Sequence, residues 1–588
     1  VTDLRKWFVL LLILLLSVCS IITTLVYASE LVRHFKPETS LMFDDSFMFI
    51  RYAKIWLLGH GEAWNIGEAP AYGNTSQLHF ILVLLLTAVL GQLPIESLAA
   101  ISSIIPSVLI LLWLPFFCAR HGVLFREKSL LSRYAIWLLC LLPLLYWNTP
   151  WGYHSGTGMD AMLSLLMHLL LIDAVLTFAK EKKNIYFIAV CVLAYLAYLT
   201  RPDNLLAAGL FPVLYLGLVL KQYRRAFVFM VVMGSAVIVD GIIKYLYFGD
   251  YFPLAYYSKR IGFLENYGFL GEIYSSPFRT FFIFLLAIFP FLVPAGLSLR
   301  QKNWLSIAVF LVPPALTIGY YFTMVAVMNY GGRYFFPFLP YFIACAIVHW
   351  PEWSVLRSNI KILVLRASVL VLVFGLFLTG DKYNYQIAKY FLPEEKSICD
   401  DNNLRSWPKV LPRFAGAKSN THLAAMLQDA PEGVTIAMTE HGYVGAANPL
   451  VHIIDLAGLH NHFLAHEGFA ARWLFEQEPD AIWMGHWHYT CLNSSIVDDK
   501  EFWNRYEFYP HLFAWGFALR KDSPHYQAMN GLVEKKWKEL YPDLPMSEYR
   551  REGPLPQIDY AGNERLIRAY QEKVQAKKNK GGLTQQGQ

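Results

Sequence analysis

Apolar runs recur along this chain with polar breaks between them. They fall at about 78–95, 100–118, 134–148, 160–179, 184–199, 204–220, 226–247, 277–297, 304–327, 335–349 and 362–379, with an earlier one at 7–27. Each is near the ~20 residues that a helix needs to cross a bilayer, so the pattern predicts about 11–13 spans. The run 7–27 (WFVLLLILLLSVCSIITTLVY) is too long and too Leu-rich for a cleaved signal, and no small-residue cleavage site follows it. It reads as a retained first helix with Arg5 and Lys6 on the inner side.

The polar breaks set the sides. KEKK at 180–183, KQYRR at 221–225, RQK at 300–302 and the Arg357/Lys361/Arg366 stretch are basic and belong inside. Alternation then puts 28–77, 147–160, 200–204, 248–260, 329–337 and everything after 380 outside. One conflict arises. The loop 119–133 carries Arg120, Arg126, Lys128 and Arg133 and belongs inside, yet two full spans between 78 and 118 leave it outside. One of those two runs is therefore short or re-entrant.

After residue 380 the pattern changes. THLAAMLQDA has helical spacing, while VTIAMTE, VHIIDLAG, AIWMGHW and FAWGFALR read as short strands. The fold class expected is an α-helical polytopic membrane protein with a transmembrane domain over 1–380. A C-terminal extracytoplasmic α/β domain over 381–570 follows, then a disordered tail at 571–588.

Composition agrees. The chain has 588 residues, 56% hydrophobic and 16% charged, which excludes an ordinary soluble protein. The net charge of +6 lies mostly in short loops and calls for no nucleic-acid partner. The 17 Trp and 35 Tyr suit membrane-interface belts as well as sugar-facing surfaces. Five of the 7 Cys lie in apolar runs; Cys399 and Cys491 fall in the polar part, where a disulfide is conceivable. No Walker A, GxGxxG or GxSxG segment occurs, which argues against nucleotide-driven transport and a serine hydrolase.

Candidate chemistry gathers in the outer loops. Asp44 and Asp45 open FDDSFMFIRYAKIWLLGHGEAWN, in which 46–58 fits an amphipathic helix lying in the membrane interface and stopped at Gly59. Either aspartate can serve as a helix cap, as a general base, or as a ligand of a divalent cation such as Mg, Mn or Ca. Tandem acids repel, which raises one pKa unless a cation or Arg51 compensates them. SGTGMD delivers Asp160 at the start of a span, again as a cap or a site residue. TRPDN puts Arg201 and Asp203 at an outer helix end, where Arg201 is either a snorkelling anchor or a phosphate ligand. FGDYFPLAYYSKR carries Asp250, Tyr257, Lys259 and Arg260, and GGRYFFP carries Arg333 behind two glycines. His460, His462 and His466 in GLHNHFLAH, and His486 and His488 in GHWH, match no strong zinc pattern and read as surface or acceptor-groove residues. Outside a membrane no nucleotide-sugar is available. Acids and fixed cations on that face suit a lipid-phosphate donor, with Arg or Lys stabilising the phosphate and a carboxylate accepting the acceptor's proton.

DDSFMFIRYAKIWLLGHGEAWN followed by PAYGNTSQLHF resembles the acidic first outer loop of bacterial GT-C-fold glycosyltransferases. The likeness is to mycobacterial arabinofuranosyltransferases of the AftB family and related pilin arabinosyltransferases of some Gram-negative bacteria. SGTGMD, TRPDNLL, YFGDYFPLAYYSK, GGRYFFPFLP and IIDLAGLHNHFLA follow in the same order, so the resemblance spans roughly 40 to 470. It implies a polyprenyl-phosphate sugar donor, most simply decaprenyl- or undecaprenyl-phosphoryl arabinofuranose, and a glycan or protein acceptor, with pilin among the options. The site would face the periplasmic side of a bacterial inner membrane. Asp44 and Asp45 would be the catalytic pair. Asp160, Arg201, Asp203, Tyr257, Lys259, Arg260 and Arg333 would bind the donor. The family tends to carry Glu where Asp160 stands. Rival readings are a mannosyl or aminoarabinosyl transferase, a polysaccharide or lipid transporter, and a non-catalytic receptor or assembly factor.

Overall fold

The structure, a computed structural model, describes residues 44–122, 128–137, 154–260, 281, 284, 288, 304–321, 332–349, 416–485, 489–510 and 512–551. At 259–260, 416–418 and 490–491 it describes the backbone alone. The expected first helix at 7–27, the span at 362–379, Cys399, most of 134–148 and 277–297, the boundary at 380 and the tail 571–588 lie outside these residues.

The described chain is mostly helical. Its first part comprises α1 (Asp44–Ile55), α2 (Gln77–Leu90), α3 (Ile95–His121), α4 (Ala161–Glu181), α5 (Asn184–Thr200), α6 (Asn204–Leu214), α7 (Tyr223–Phe248), α8 (Leu254–Arg260), α9 (Trp304–Tyr321) and α10 (Leu339–Val348). Among the described residues α3, α4, α7 and α9 are long and apolar enough to cross a membrane. Shorter apolar helices run over Gln77–Leu90, Asn184–Thr200, Asn204–Val219 and Phe336–Val348. At 14 residues α2 is shorter than the ~20 that a crossing needs. α4 packs at the centre with α5 and α3, almost wholly buried. α7 is peripheral and turns Phe227, Ile238, Ile243 and Leu246 outward, as a helix facing lipid does.

The second part opens with α11 (Gly416–Leu427) and builds one five-stranded sheet. Its elements are β1 (Thr435–Met438), α12 (Gly442–Ala447), β2 (His452–Asp455), α13 (His462–Glu467), α14 (Ala471–Glu476), β3 (Ala481–Trp483), α15 (Thr490–Val497), α16 (Lys500–Arg505), β4 (Tyr506–Tyr509), β5 (Phe517–Arg520) and α17 (Tyr526–Leu540). The strand order is β2-β1-β3-β5-β4. β1 pairs parallel with β2 (Ile436 opposite Ile453) and with β3, while β5 runs antiparallel to β3 and β4. The parallel half reads as continuous apolar runs because helices cover both faces. The four strand-like segments coincide with β1, β2, β3 and β5. β4 (YEFY) escaped the pattern because all four residues are buried and two of them are aromatic hydroxyls.

The two parts share a core. Phe47, Ile50, Tyr52 and Trp64 pack with Leu423, Val444, Ile453 and Trp483. The expectation of an interfacial amphipathic helix at 46–58 is corrected by this contact. α1 is buried from Ser46 to Ala53 because α12 covers the face that would otherwise meet lipid or water. Only the following π-helical turn exposes apolar side chains, with Trp56 40%, Leu57 49% and Leu58 53% exposed. Gly59 ends it at φ 93, the left-handed conformation that glycine adopts without strain.

Candidate functional site

Two adjacent aspartates in the first turn of α1 face different neighbours. Asp44 accepts the backbone N–H groups of Gly442 (2.6 Å) and Tyr443 (2.8 Å) and the amide of Asn420 (3.2 Å). It therefore caps the first turn of α12, a helix 398 positions further along the chain. Burial pushes its carboxyl up, against the pull of His441 and the two backbone N–H groups. Asp45 instead accepts from Arg333 Nη1 (3.1 Å) and lines a cavity of about 730 Å³.

Around Asp45 the cavity is charged. Asp160 and Asp203 stand at the N-cap positions of α4 and α6, yet neither side chain makes a capping bond. Their carboxylates turn to Arg201 instead. Arg201 Nε and Nη2 donate to Asp203 Oδ1 (3.1 Å) and Oδ2 (2.8 Å), and its Nη1 lies 3.8 Å from Asp160 Oδ2. The break between α5 and α6 makes this possible. Arg201 is extended (φ -164) ahead of Pro202, a conformation the residue before proline favours. The Tyr321 hydroxyl also donates to Asp203. The guanidinium groups of Arg201 and Arg333 lie 4.2 and 5.1 Å from the Tyr334 ring centre. Burial weakens the charge on Arg201, but Asp203, Tyr321 and Asp160 outweigh it and hold the group well above its usual range. Burial likewise opposes ionisation of Asp203, and Arg201 reverses it. The pair is ionised.

Away from this end the cavity becomes apolar. Leu206, Leu210 and Val213 of α6 line it together with Phe229, Met230 and Met233 of α7. One space thus joins two fixed guanidinium groups and three carboxylates to an aliphatic slot between helices.

A third group comes from the carboxyl ends of β1 and β2, where parallel sheets place their functional loops. Glu440 and His441 follow β1, and Asp455 ends β2. His441 Nε2 is 2.7 Å from Asp455 Oδ1, and Asp455 also accepts the N–H groups of Ala457 (2.7 Å) and His460 (2.6 Å). Burial pushes Asp455 up, but His441 overcomes this and its carboxyl sits at about 2. Burial lowers His441, while Asp455, Asp44 and Asp45 together raise it above the usual imidazole value. Glu440 is pushed well up by burial, then by Asp44 and Asp45. His460 lines the cavity, stacks on Trp64 (3.9 Å between ring centres) and meets the Tyr52 hydroxyl at Nδ1 (2.9 Å). Burial and His441 keep it neutral. Of the two expectations for the histidines, surface or groove, the surface one does not hold for His460, which is buried and lines the cavity. The sequence reading missed Glu440, His441 and Tyr334; the signal for the first two was their place directly after a strand of the parallel half.

Other expected residues lie elsewhere. The Tyr257 ring packs on His466 (4.2 Å), and its neighbour Tyr256 lines the cavity. Lys259 and Arg260 end α8, with side chains outside the described residues. Arg51 does not compensate the aspartates. It bonds the backbone oxygens of Trp64, Gly445, Asn448 and Val451, and Arg333 and His441 take the compensating role. A divalent cation shared by Asp44 and Asp45 does not fit. Asp44 already faces the N–H groups of a helix start, and a permanent guanidinium occupies Asp45 Oδ2. Among the described residues the three-ligand groups are Asp250–His462–His466 and His441–Asp455–His460. Neither family descriptions nor curated proteins return a match to this chain.

Proposed function

We propose that this protein is a membrane glycosyltransferase that moves a pentofuranose from a polyprenyl phosphate to an extracytoplasmic glycan or protein acceptor. The observation that carries this reading is the divided cavity, charged around Asp45, Arg201 and Arg333 and aliphatic between α6 and α7. A polyprenyl phosphate has the same division, with an anionic head on an isoprenoid chain. D-arabinofuranose as the sugar, a GT-C arrangement of about 11–13 spans and a bacterial inner-membrane location rest on the family resemblance. So does the division into a transmembrane domain over 1–380 and an extracytoplasmic domain over 381–570.

In the proposed reaction the acceptor hydroxyl oxygen attacks the anomeric carbon. The bond from that carbon to the phosphate oxygen breaks, and its electron pair leaves with the polyprenyl phosphate. Asp45 takes the hydroxyl proton, and Arg201 and Arg333 stabilise the negative charge that develops on the phosphate. No step passes through a metal ion.

The test is direct. Purified protein in lipid nanodiscs is given decaprenyl- or undecaprenyl-phosphoryl D-arabinofuranose with a labelled sugar and a cell-envelope acceptor extract. Release of free polyprenyl phosphate together with labelled acceptor is expected. A donor left intact, alongside an unchanged glycan and pilin profile in a deletion strain, refutes the proposal.

A further inference from the structure

We propose that Asp250, His462 and His466 form a binding site for a transition-metal dication of the zinc class, one that ties the loop after α7 to α13. The site stands apart from Asp45 and Arg333, and it does not rest on the transferase reading.

α7 ends at Gly249, in the left-handed conformation (φ 81), and the chain turns so that Asp250 is only 5% exposed. Residues four apart on a helix share a face, so His462 and His466 point the same way from α13. Their rings lie 4.5 Å apart. His462 Nε2 is 3.3 Å from Asp250 Oδ2, and His466 Nε2 is 3.0 Å from Oδ1. Asp250 Oδ2 is buried and makes no hydrogen bond, although His462 Nε2 stands within 3.3 Å of it. Ligand atoms about 2.0–2.1 Å from a tetrahedral zinc lie about 3.3 Å from each other. All three ligand atoms are already within 4.8 Å of one another. The rings of His462 (64% exposed) and His466 (30%) open the site to ions, with the remaining positions left to water. Two imidazoles and one carboxylate select zinc, cobalt or nickel over magnesium or calcium. The other group, His441–Asp455–His460, is unlike this one because both Asp455 oxygens already accept hydrogen bonds.

The position gives the ion a consequence. Phe252 and Pro253, just after Asp250, and Ala457 and Leu459, just before α13, all line the same cavity. The protein joins these stretches by a Ser258 hydroxyl donated to the Gly458 carbonyl (2.5 Å). A bound ion would add a second tie across that wall.

The experiment uses the full chain, tag removed and treated with chelator, in detergent micelles. Cobalt(II) is titrated and its visible ligand-field absorption followed, then zinc is added in competition. One cobalt per chain with an imidazole-ligated spectrum is expected, displaced by zinc, and zinc but not magnesium should raise the thermal midpoint. His462→Ala, at an exposed position, should weaken binding at least ten-fold with an unchanged metal-free melt. His466→Ala and Asp250→Asn should also weaken binding at least ten-fold. Failure of the parent protein to bind cobalt at one per chain overturns the proposal. So does unchanged affinity in His462→Ala and His466→Ala.

Discussion

Replacing each of the two adjacent aspartates by asparagine should separate a catalytic from a structural role. In Asp44→Asn one side-chain oxygen becomes an N–H donor. It then confronts a backbone N–H that Asp44 now accepts, either Gly442 at 2.6 Å or Tyr443 at 2.8 Å. A hydrogen bond to an ionised group contributes roughly 1.5–3 kcal/mol, so losing one while keeping the other costs about 2 kcal/mol. The cost falls on the contact between α1 and α12, and it should appear as a lower thermal midpoint and easier proteolysis of the 416–551 region. Asp45→Asn removes no cap. It leaves Arg333 able to donate to the amide oxygen, so stability should change little. If Asp45 accepts the acceptor's proton, transfer should fall by about 10²–10⁴-fold, the usual contribution of general base catalysis. The assay pairs initial transfer rates with thermal unfolding of both variants in the same nanodiscs. Transfer in Asp45→Asn within ten-fold of the parent would refute the base assignment. An unchanged melt for Asp44→Asn would refute the cap.

Three further perturbations follow from buried contacts. Arg51→Met leaves the oxygens of Trp64, Gly445, Asn448 and Val451 without their donor, so it should destabilise by about 3–5 kcal/mol, read from chemical unfolding. A loss under 1 kcal/mol would contradict the anchor. Glu62 is pushed by burial from 4.5 up to about 7, against hydrogen bonds from Asn74 and Gln77. Between those two pH values the folded state binds more protons than the unfolded. This stabilisation is full below 4.5 and lost as pH rises through 7, by up to about 1.4 kcal/mol per pH unit. Glu62→Gln should remove that part of the slope of midpoint against pH, and an identical slope in both proteins would refute it. A Cβ on Gly442 would lie 1.9 Å from the Asp44 backbone oxygen, so Gly442→Ala must push α12 off α1. It should cost about 1–3 kcal/mol and lower transfer, measured by melt and rate together.

Much of this was legible because local pattern and final environment agree. The apolar runs at 100–118, 160–179 and 226–247 became α3, α4 and α7, since length and hydropathy alone decide such helices. The residues singled out at 160, 201–203 and 333 converge on one cavity, each standing at or near the end of an apolar helix. What the pattern could not carry is partnership across hundreds of residues. DD at a helix start is the signal of a cap for its own helix, and here Asp44 caps a different one. An arginine seven positions from Asp44 is a natural counter-ion by spacing, yet the side of the helix it leaves from directs it to carbonyls of α12 and the turn before β2. Glu440 and His441 carry no motif. Their meaning comes only from the parallel pairing of β1 with β2, which directs the ends of both strands at α1.

The adjacency of Asp44 and Asp45 then has a physical reason. Successive helical residues leave the axis about 100° apart, so one turn can hold a cap for α12 and a cavity carboxylate at once. Because Asp44 fixes Gly442 and Tyr443, it also fixes the two residues before them, Glu440 and His441. Those residues meet the aspartate pair through charge: burial lowers His441 but Asp455, Asp44 and Asp45 raise it, and burial first, then Asp44 and Asp45, push Glu440 well up. The ionic balance at Asp45 is therefore set by Arg333 from one side and by the docked sheet from the other. Undocking the sheet would take His441 away and leave two acids one position apart beside Arg333. The cavity carboxylate and the sheet that docks beside it form one electrostatic unit. On this ground Asp44, which lines no part of the cavity, is placed to affect transfer through Asp45 as well as through stability.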